Sequence, residues 1–507
     1  MRDAASSGTR MTYGKCMARH WRYPGVMRPL VESMAFLRAI AESRPVAALA
    51  TAFESAGHEF ALVGGPVRDA LLGRAVKDLD FTTSARPDET RAILAQLTEN
   101  IWDVGRDYGT IAARVHGEQV EITTYRADSY QSDSRKPAVE FGDTIEGDLV
   151  RRDFTINALA LFLPSLRLVD VSNGVEDLLA SRIKTPGKAE VSFTDDPLRM
   201  MRAARFASQL GFTVTDEVRE AMAEFAPRLD IISAERIRDE LVKLLSTEDP
   251  VPGVRLLVET GLADRFLPEL TALLTTQDDH GRHKDVYEHS LTVLRQAIDL
   301  ERSRRTGSGS EPAEPDVVLR LASLLHDIGK PATRRFDRGG VTFHHHDVVG
   351  AKLVKKRLRE LRFDNDTIKR VARLVELHLR FFGYSDQQWS DSAVRRYVRD
   401  AGDELERLHI LTRADVTTRN RRKAERLEHA YDDIERRIAE LAEAEEMAAV
   451  RPELDGEQIM RILDIPPGPL VGKAYRFLLE LRLDEGPIGA EAAEARLREW
   501  FNARGEG

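Results

Sequence analysis

Apolar positions along the chain fall into two regimes. From Met34 to about Ala56 they recur at helical spacing, and then contract into "HEFALVGG", a short apolar run ending in glycines that reads as a buried strand. "PVRDALLG" is helical again, opened by Pro66 and closed by Gly73. "KDLDFTT" predicts a second strand, and the alternation in "VEITTYR" and "LRLVDVSNG" predicts more. Strands are confined to about residues 55–190. From "DDPLRMMRAARF" (195–206) onward nearly every periodic stretch is helical. The pattern predicts an α+β head with a small mixed sheet over 34–185, followed by a helical body.

Three stretches break these regimes. Residues 1–33 are rich in Arg and poor in acids without a continuous apolar segment, which predicts a disordered extension rather than a secretory signal. "ERSRRTGSGSEPAEPD" (301–316) reads as a flexible loop. Leu427, Tyr431, Ile434, Ile438 and Leu441 form a heptad-like seam, expected to pack against the protein's own body because so few heptads are present.

Composition narrows the class. The 507 residues are 42% hydrophobic and 31% charged, with mean hydropathy -0.37. No apolar run approaches the ~20 residues of a membrane span, so no membrane partner is expected. Cys16 is the sole cysteine, which excludes an intramolecular disulfide or a thiolate metal cluster and points to a reducing, cytoplasmic setting. A net charge of -9 means that any nucleic-acid contact must come from local basic surfaces.

"ALVGGPVRDALLGRAVKDLDF" concentrates the chemistry. A strand ending in Gly64-Gly65 and feeding a helix at Pro66 lets backbone N–H groups approach an anion. It is neither a Walker A loop nor a dinucleotide GxGxxG. Asp78 and Asp80, two apart on a strand, point to one face. Two such carboxylates repel unless a divalent cation neutralises them, and Mg²⁺ favours oxygen ligands shared with substrate phosphates.

These residues resemble the head of the polymerase-β-type nucleotidyltransferases, specifically the class II CCA-adding tRNA nucleotidyltransferase and bacterial poly(A) polymerase family. The resemblance continues through "VEITTYRADSYQSDSRKPAVEF", "LVRRDFTINALAL" and "DDPLRMMRAARF", covering about 62–206. It implies that Gly64, Gly65 and Arg68 hold nucleotide phosphates, that Asp78 and Asp80 hold Mg²⁺, and that Arg152 is a further nucleotide contact. Glu121, on a later strand, is the candidate third carboxylate. Residues 127–139 would form a mobile loop.

Base choice has a chemical logic. Cytosine and adenine both present an amino donor beside a ring-nitrogen acceptor, which a carboxylate and a guanidinium complement. Asp196 and Arg199, three apart on one helical face, suit this pairing, with Arg202 and Arg205 behind them for geometry or phosphate. An N-cap at Asp196 with Pro197 at the first helical position, or an ordinary ion pair, would use the same residues.

Further on, His289, His326-Asp327 and Asp415 match the H…HD…H…D arrangement of an HD-type metal phosphohydrolase. His346 and His378 could add ligands. Imidazoles with carboxylates suit a divalent transition metal or a mixed site that activates water. The run His344-His345-His346, where that family more often has Gly between two histidines, leaves open which one binds. The expected organisation is a neck and body over 186–275, an HD domain over 276–420 and a tRNA-binding helical tail over 421–507. Gly468 and Gly472 of that tail could admit RNA phosphates.

Together these features predict a CTP/ATP:tRNA nucleotidyltransferase that adds C, C and A to tRNA 3′ ends. A poly(A) polymerase or a partial A- or CC-adder would use the same scaffold. An HD phosphohydrolase with a regulatory nucleotide-binding head and a non-catalytic RNA scaffold are the readings from other classes. Oligomeric state is not encoded in these motifs.

Overall fold

The computed structural model describes residues 30–105, 109–127, 140–278, 284–307, 314–337, 340–381, 384, 389–417, 420–445 and 451–503. Residues 1–29 and 128–139, on which most of the extension expected over 1–33 and most of the expected mobile loop fall, lie outside this set, while 30–33 are helical. The chain divides into two compact units, one ending at Ile231 and one beginning at Ile232.

The first unit is built on a seven-stranded sheet. Its strands are β1 (Phe60–Val63), β2 (Leu79–Thr83), β3 (Ile101–Gly105), β4 (Thr110–Val115), β5 (Glu118–Thr124), β6 (Leu159–Phe162) and β7 (Leu168–Asp170). Their spatial order is β3-β4-β5-β2-β1-β6-β7. Only β2 and β5 pair in parallel, so the sheet is mixed. All four residues of the central β1 are buried, which explains its unbroken apolar run. Phe53, Phe60 and Phe81 stack in series with centroids 4.4 and 4.7 Å apart, each at most 1% exposed. Each ring contributes roughly 1.5–3 kcal/mol by burial. The stack fixes β1 against β2, and therefore Gly64 against Asp80.

Helices α1 (Leu30–Ala41), α2 (Arg44–Ser55), α3 (Gly65–Leu71), α4 (Pro87–Leu94) and α5 (Ile145–Val150) accompany the sheet. The first helix thus begins at Leu30 rather than Met34. They are followed by α6 (Gly174–Leu179), α7 (Ala189–Asp195), α8 (Leu198–Leu210) and α9 (Asp216–Phe225). Helix α8 begins one residue later than the capping pattern predicts. Pro197 is its N-cap, and the Asp196 carboxylate instead accepts from the Leu198 N–H at 3.2 Å. Gly211, at φ 71°, ends it in the left-handed region. A two-residue parallel pairing of Arg182–Ile183 with Thr213–Val214 extends β structure past the expected limit near residue 190.

Among the described residues the second unit's only strands form two short ribbons, Gln277–Asp278 with Lys284–Asp285 and β8 (Arg335–Asp337) with β9 (Gly340–Thr342). Its helices begin with α10 (Ala234–Leu245), α11 (Val251–Glu259), α12 (Leu262–Phe266) and α13 (Pro268–Thr271). A central group follows: α14 (Val286–Gly307), α15 (Val317–Leu325), α16 (Lys330–Thr333), α17 (His346–Glu360) and α18 (Asn365–Leu377). The chain closes with α19 (Asp391–Ala401), α20 (Leu405–Ala414), α21 (Arg421–Glu445), α22 (Gly456–Leu463), α23 (Pro469–Glu485) and α24 (Ala490–Asn502).

The loop expected over 301–316 is corrected for 301–307, while 308–313 lie outside the described residues and 314–316 have no regular structure. Helix α14 runs on to Gly307, because Glu301 is buried and accepts from Arg320 Nε at 3.0 Å. Arg320 also donates to the carbonyls of Leu245 and Thr247, at 2.6 and 2.8 Å. The heptad-like seam lies on α21, where Leu427, Tyr431 and Ile434 are buried and Tyr431 stacks on Phe381 at 3.7 Å. The seam packs on its own unit, as expected.

Candidate functional site

The first unit assembles an acidic and a basic cluster around the glycine turn. β1 delivers Gly64 at φ 76°, ψ −127°, a conformation that side chains with a Cβ rarely adopt. A Cβ there would also stand 3.2 Å from Arg152 Nη1. Asp78 precedes β2, Asp80 lies on it, and the parallel register sets Glu121 directly beside Asp80. Leu79, which strand alternation turns to the face opposite the two acids, is half-buried.

Burial, then Glu121, then Asp78 push the Asp80 carboxyl up to about 6, with Arg152 opposing. Three carboxylates that disfavour one another's charge are a fit for a divalent cation, which would relieve that repulsion. The three acids picked out by sequence are thus brought together.

The arginines separate into roles. Arg68 is 5% exposed and braced within the unit. Its Nη1 donates to Asn157 Oδ1 at 2.6 Å, while Nε and Nη2 grip Asp69 at 2.9 and 3.0 Å. Arg152 donates to Asp148 Oδ2 at 3.0 Å, turns Nη1 toward Gly64, and has a buried Nε without a hydrogen-bond partner. Arg126, missed in the sequence, has the same kind of unpartnered Nε. Its charge is felt by, and feels, Arg152 and Arg151, so three guanidinium groups gather near one buried carboxylate, Asp148. Its position, just beyond the strand that carries Glu121, was the available signal.

Helix α8 turns Arg199 and Arg202 inward. Arg199 donates from Nη1 to Ser192 Oγ at 2.9 Å and from Nη2 to the Arg151 carbonyl at 2.6 Å. Arg202 donates from Nε and Nη2 to Asp153 Oδ2, at 2.8 and 2.5 Å. Burial alone would raise the Asp153 carboxyl, yet Arg202 and Asn157 hold it down at about 2. Arg202 therefore pins α8 to the Arg151–Asn157 segment, a bracing role that sequence spacing did not reveal. Arg205 runs along the helix to Gln209 Oε1 at 2.7 Å, over the Phe206 ring. Asp196 and Arg199 remain close enough for Asp196 to act on the Arg199 charge.

The second unit gathers its histidines at helix ends. His289 lies in the first turn of α14, and His326 and Asp327 directly follow α15. His346 opens α17, His378 follows α18, and Asp415 follows α20. Three helix C-termini, each a partial negative charge, thus converge on a site suited to cations. Every ring is oriented through Nδ1. His326, His346 and His378 bond the carbonyls of Ser323, Phe343 and Val375 at 2.9, 2.8 and 2.6 Å. His289 bonds Thr417 Oγ1 at 3.1 Å. These contacts turn Nε2 inward, and the Nε2 atoms of His346 and His378 have no hydrogen-bond partner.

Two groups that could each hold a metal ion result: His289, His326 and Asp415, and Asp327, His346 and His378. Asp327 spans them. Its Oδ2 lies 3.2 Å from His326 Nε2, and its Oδ1 lies 3.2 Å from His346 Nε2 and 4.0 Å from His378 Nε2. Lys330 Nζ donates to Oδ2 at 2.8 Å. Burial lowers the His326 imidazole, but Asp327 and Asp415 outweigh it and raise it to about 9. That imidazolium would give way to a cation, and the donor set, with Asp327 within reach of histidines of both groups, would suit divalent metal. The triple-histidine ambiguity resolves by geometry. His345 sits at φ 63° as the α17 N-cap, and it and His344 are exposed, while only His346 is buried.

Comparison with known proteins agrees with both units. The "Poly A polymerase head domain" matches residues 60–184, the "Probable RNA and SrmB- binding site of polymerase A" 211–274, and the "HD domain" 286–420. An A-adding tRNA nucleotidyltransferase of Deinococcus radiodurans is 35% identical over 456 residues, 87% of this chain and 95% of the relative. A CC-adding tRNA nucleotidyltransferase of Thermus thermophilus is 31% identical over 87% of this chain and 94% of its own. A CCA-adding enzyme of Latilactobacillus sakei is 42% identical, but over 43% of this chain and 53% of its own length. The crystal structure of the Bacillus stearothermophilus CCA-adding enzyme in complex with CTP shares the fold at TM-score 0.61, with 23% identity, covering 95% of this chain and 100% of that one.

Proposed function

The chain belongs to the tRNA nucleotidyltransferase family, and on that premise we propose that it adds C, C and A to tRNA 3′ ends from CTP and ATP. Nucleotidyl transfer is carried by one observation above the rest: Asp80 and Glu121 share a register, with Asp78 beside them, next to a glycine turn faced by Arg152. Asp78, Asp80 and Glu121 would hold Mg²⁺, which when bound supplies charge neutralisation at the phosphates and a more acidic 3′-hydroxyl. Gly64, Gly65 and Arg152 would receive the triphosphate. Arg68 supports that pocket through Asn157 rather than reaching out with all its donors.

Asp196 and Arg199 would read the base edge. Their anchoring by the Leu198 N–H, Ser192 and the Arg151 carbonyl limits movement, so a base with a carbonyl in place of the amino group leaves buried polar groups unsatisfied. The six ligands of the second unit would hold a divalent transition-metal pair suited to phosphoester hydrolysis, a second activity beside transfer. No helix among the described residues is long and apolar enough to cross a membrane, and a cytoplasmic tRNA substrate is consistent with that.

A second reading has its own support. Two relatives that align over nearly their whole length are named A-adding and CC-adding, so a partial adder on this scaffold competes with full CCA addition. Incubation with tRNA ending before CCA, and with tRNA ending in CC, separates the two. Full addition requires two C and then one A on the first substrate. Arrest after CC, or extension of the second substrate alone, establishes the partial reading; long tails from ATP alone establish poly(A) synthesis. Arg199→Ala should relax base choice more than it weakens triphosphate binding, measured as the ratio of CTP to UTP incorporation.

A further inference from the structure

Between the two halves of the histidine centre the chain makes a detour that the ligands themselves do not need. Asp327 belongs to one end of it and His346 to the other, and the intervening segment folds as the β8–β9 ribbon. Phe336 stands near its tip, 75% exposed, the most exposed of the large apolar side chains described. A lone exposed apolar residue is ordinary. This one directly follows two arginines, Arg334 and Arg335. Arg334 places its guanidinium 4.9 Å over the Phe336 ring, and its buried Nε has no hydrogen-bond partner. Arg335 beside it is exposed.

The base of the ribbon leads to the centre. Lys330, bonded to Asp327, lies 5.7 Å over the ring of Phe343, and exposed His344 and His345 follow directly before His346. Gly329 packs so closely on the start of α17 that a Cβ would fall 2.0 Å from the His346 carbonyl, which fixes both ends of the ribbon to the ligand turns.

We propose that the β8–β9 ribbon is a platform for single-stranded RNA, with Phe336 stacking a base and Arg334 and Arg335 binding the adjoining phosphates, so that a strand end is led to the histidine centre. An aromatic face with flanking cations is the chemistry that holds unpaired nucleotides without reading their sequence. An apolar protein partner would use the hydrophobicity of Phe336 but not its π face or the arginines. The platform lies outside the head's nucleotide site and goes beyond the transfer activity proposed above.

The test uses the full chain and a four-nucleotide RNA carrying 4-thiouridine, photocrosslinked and mapped by mass spectrometry, with affinity read by fluorescence anisotropy. Crosslinks should fall on residues 334–345, and Phe336→Ala should reduce them and weaken binding about tenfold, the effect of one lost stack. Phe336→Trp should retain binding and Phe336→Leu should not. Crosslinks confined to other segments, or Phe336→Leu binding like the parent, overturn the platform. Addition of nucleotides to tRNA by the Phe336 variants should match the parent. Failure of the parent itself to extend tRNA would count against the transfer reading alone, since the crosslinks are scored independently.

Discussion

Replacing Asp80 by Asn should stabilise the cation-free protein while abolishing nucleotide addition. In the fold this carboxyl is raised from 3.8 to about 6 by burial and by Glu121 and Asp78. An acid whose folded value lies above its unfolded value holds its proton more tightly in the native state. The native state is therefore penalised progressively as pH rises from about 4 to about 6, and fully above that. At about 1.4 kcal/mol per unit, a shift from 3.8 to about 6 corresponds to a penalty near 3 kcal/mol at pH 7.5, an upper value for a half-buried group. For a unit of this size each kcal/mol moves the melting temperature by roughly 2–4 °C, so the variant should melt about 5–10 °C higher in EDTA. The same comparison near pH 4 should show no difference, and Mg²⁺ should raise the melting temperature of the parent but not of the variant. Differential scanning fluorimetry in EDTA at both pH values, with and without Mg²⁺, reads all of this. A variant that melts at or below the parent at pH 7.5 without cations would refute the claim that the acidic cluster is held in mutual repulsion.

Other substitutions probe the remaining contacts. Arg202→Ala leaves the buried Asp153 carboxylate without its main partner and should cost roughly 2–4 kcal/mol in urea denaturation, reduced from the fully buried case because Arg202 is partly exposed. That stabilising contribution of Asp153, present above pH 4, should fade as pH falls through about 2. Gly329→Ala should displace the start of α17 and empty the histidine centre of metal, measured by elemental analysis, while tRNA extension by the head continues. Because Asp327 and Asp415 hold His326 protonated up to about 9, cation uptake at pH 7.5 should release a proton. Calorimetry in buffers of different ionisation enthalpy measures the release, and affinity should weaken as pH falls below that value.

Much of the head was legible because its chemistry lies in short contiguous motifs. The glycine turn, the Asp-x-Asp pair and the start of α8 each place their groups through local geometry, so the motifs and the family resemblance they carry located them. Glu121 was reachable for a different reason: alternation identified its strand, although only the parallel register put it beside Asp80. Arg126 offered only its place just beyond the Glu121 strand, and the Asp153–Arg202 pair offered no signal, since it joins segments 49 residues apart. The helix over 301–307 was misread because the buried Glu301–Arg320 pair outweighs a locally polar composition. In the second unit the HD-type arrangement picked out the residues that the fold brings together, but the left-handed turn at His345 was needed to decide which of three consecutive histidines faces inward.

The histidine centre draws its six side chains from the ends of five helices spread between His289 and Asp415, and no neighbouring pair of helices contributes them all. If these side chains hold a metal as proposed, its retention would work as a certificate of assembly. A chain still emerging from the ribosome cannot present the full set until Asp415 has been made and α20 has docked. A cation bound there reports that the whole central group has reached its native arrangement. The centre should accordingly serve as an internal quality gauge, with metal lost early and cooperatively whenever any one of those helices loosens.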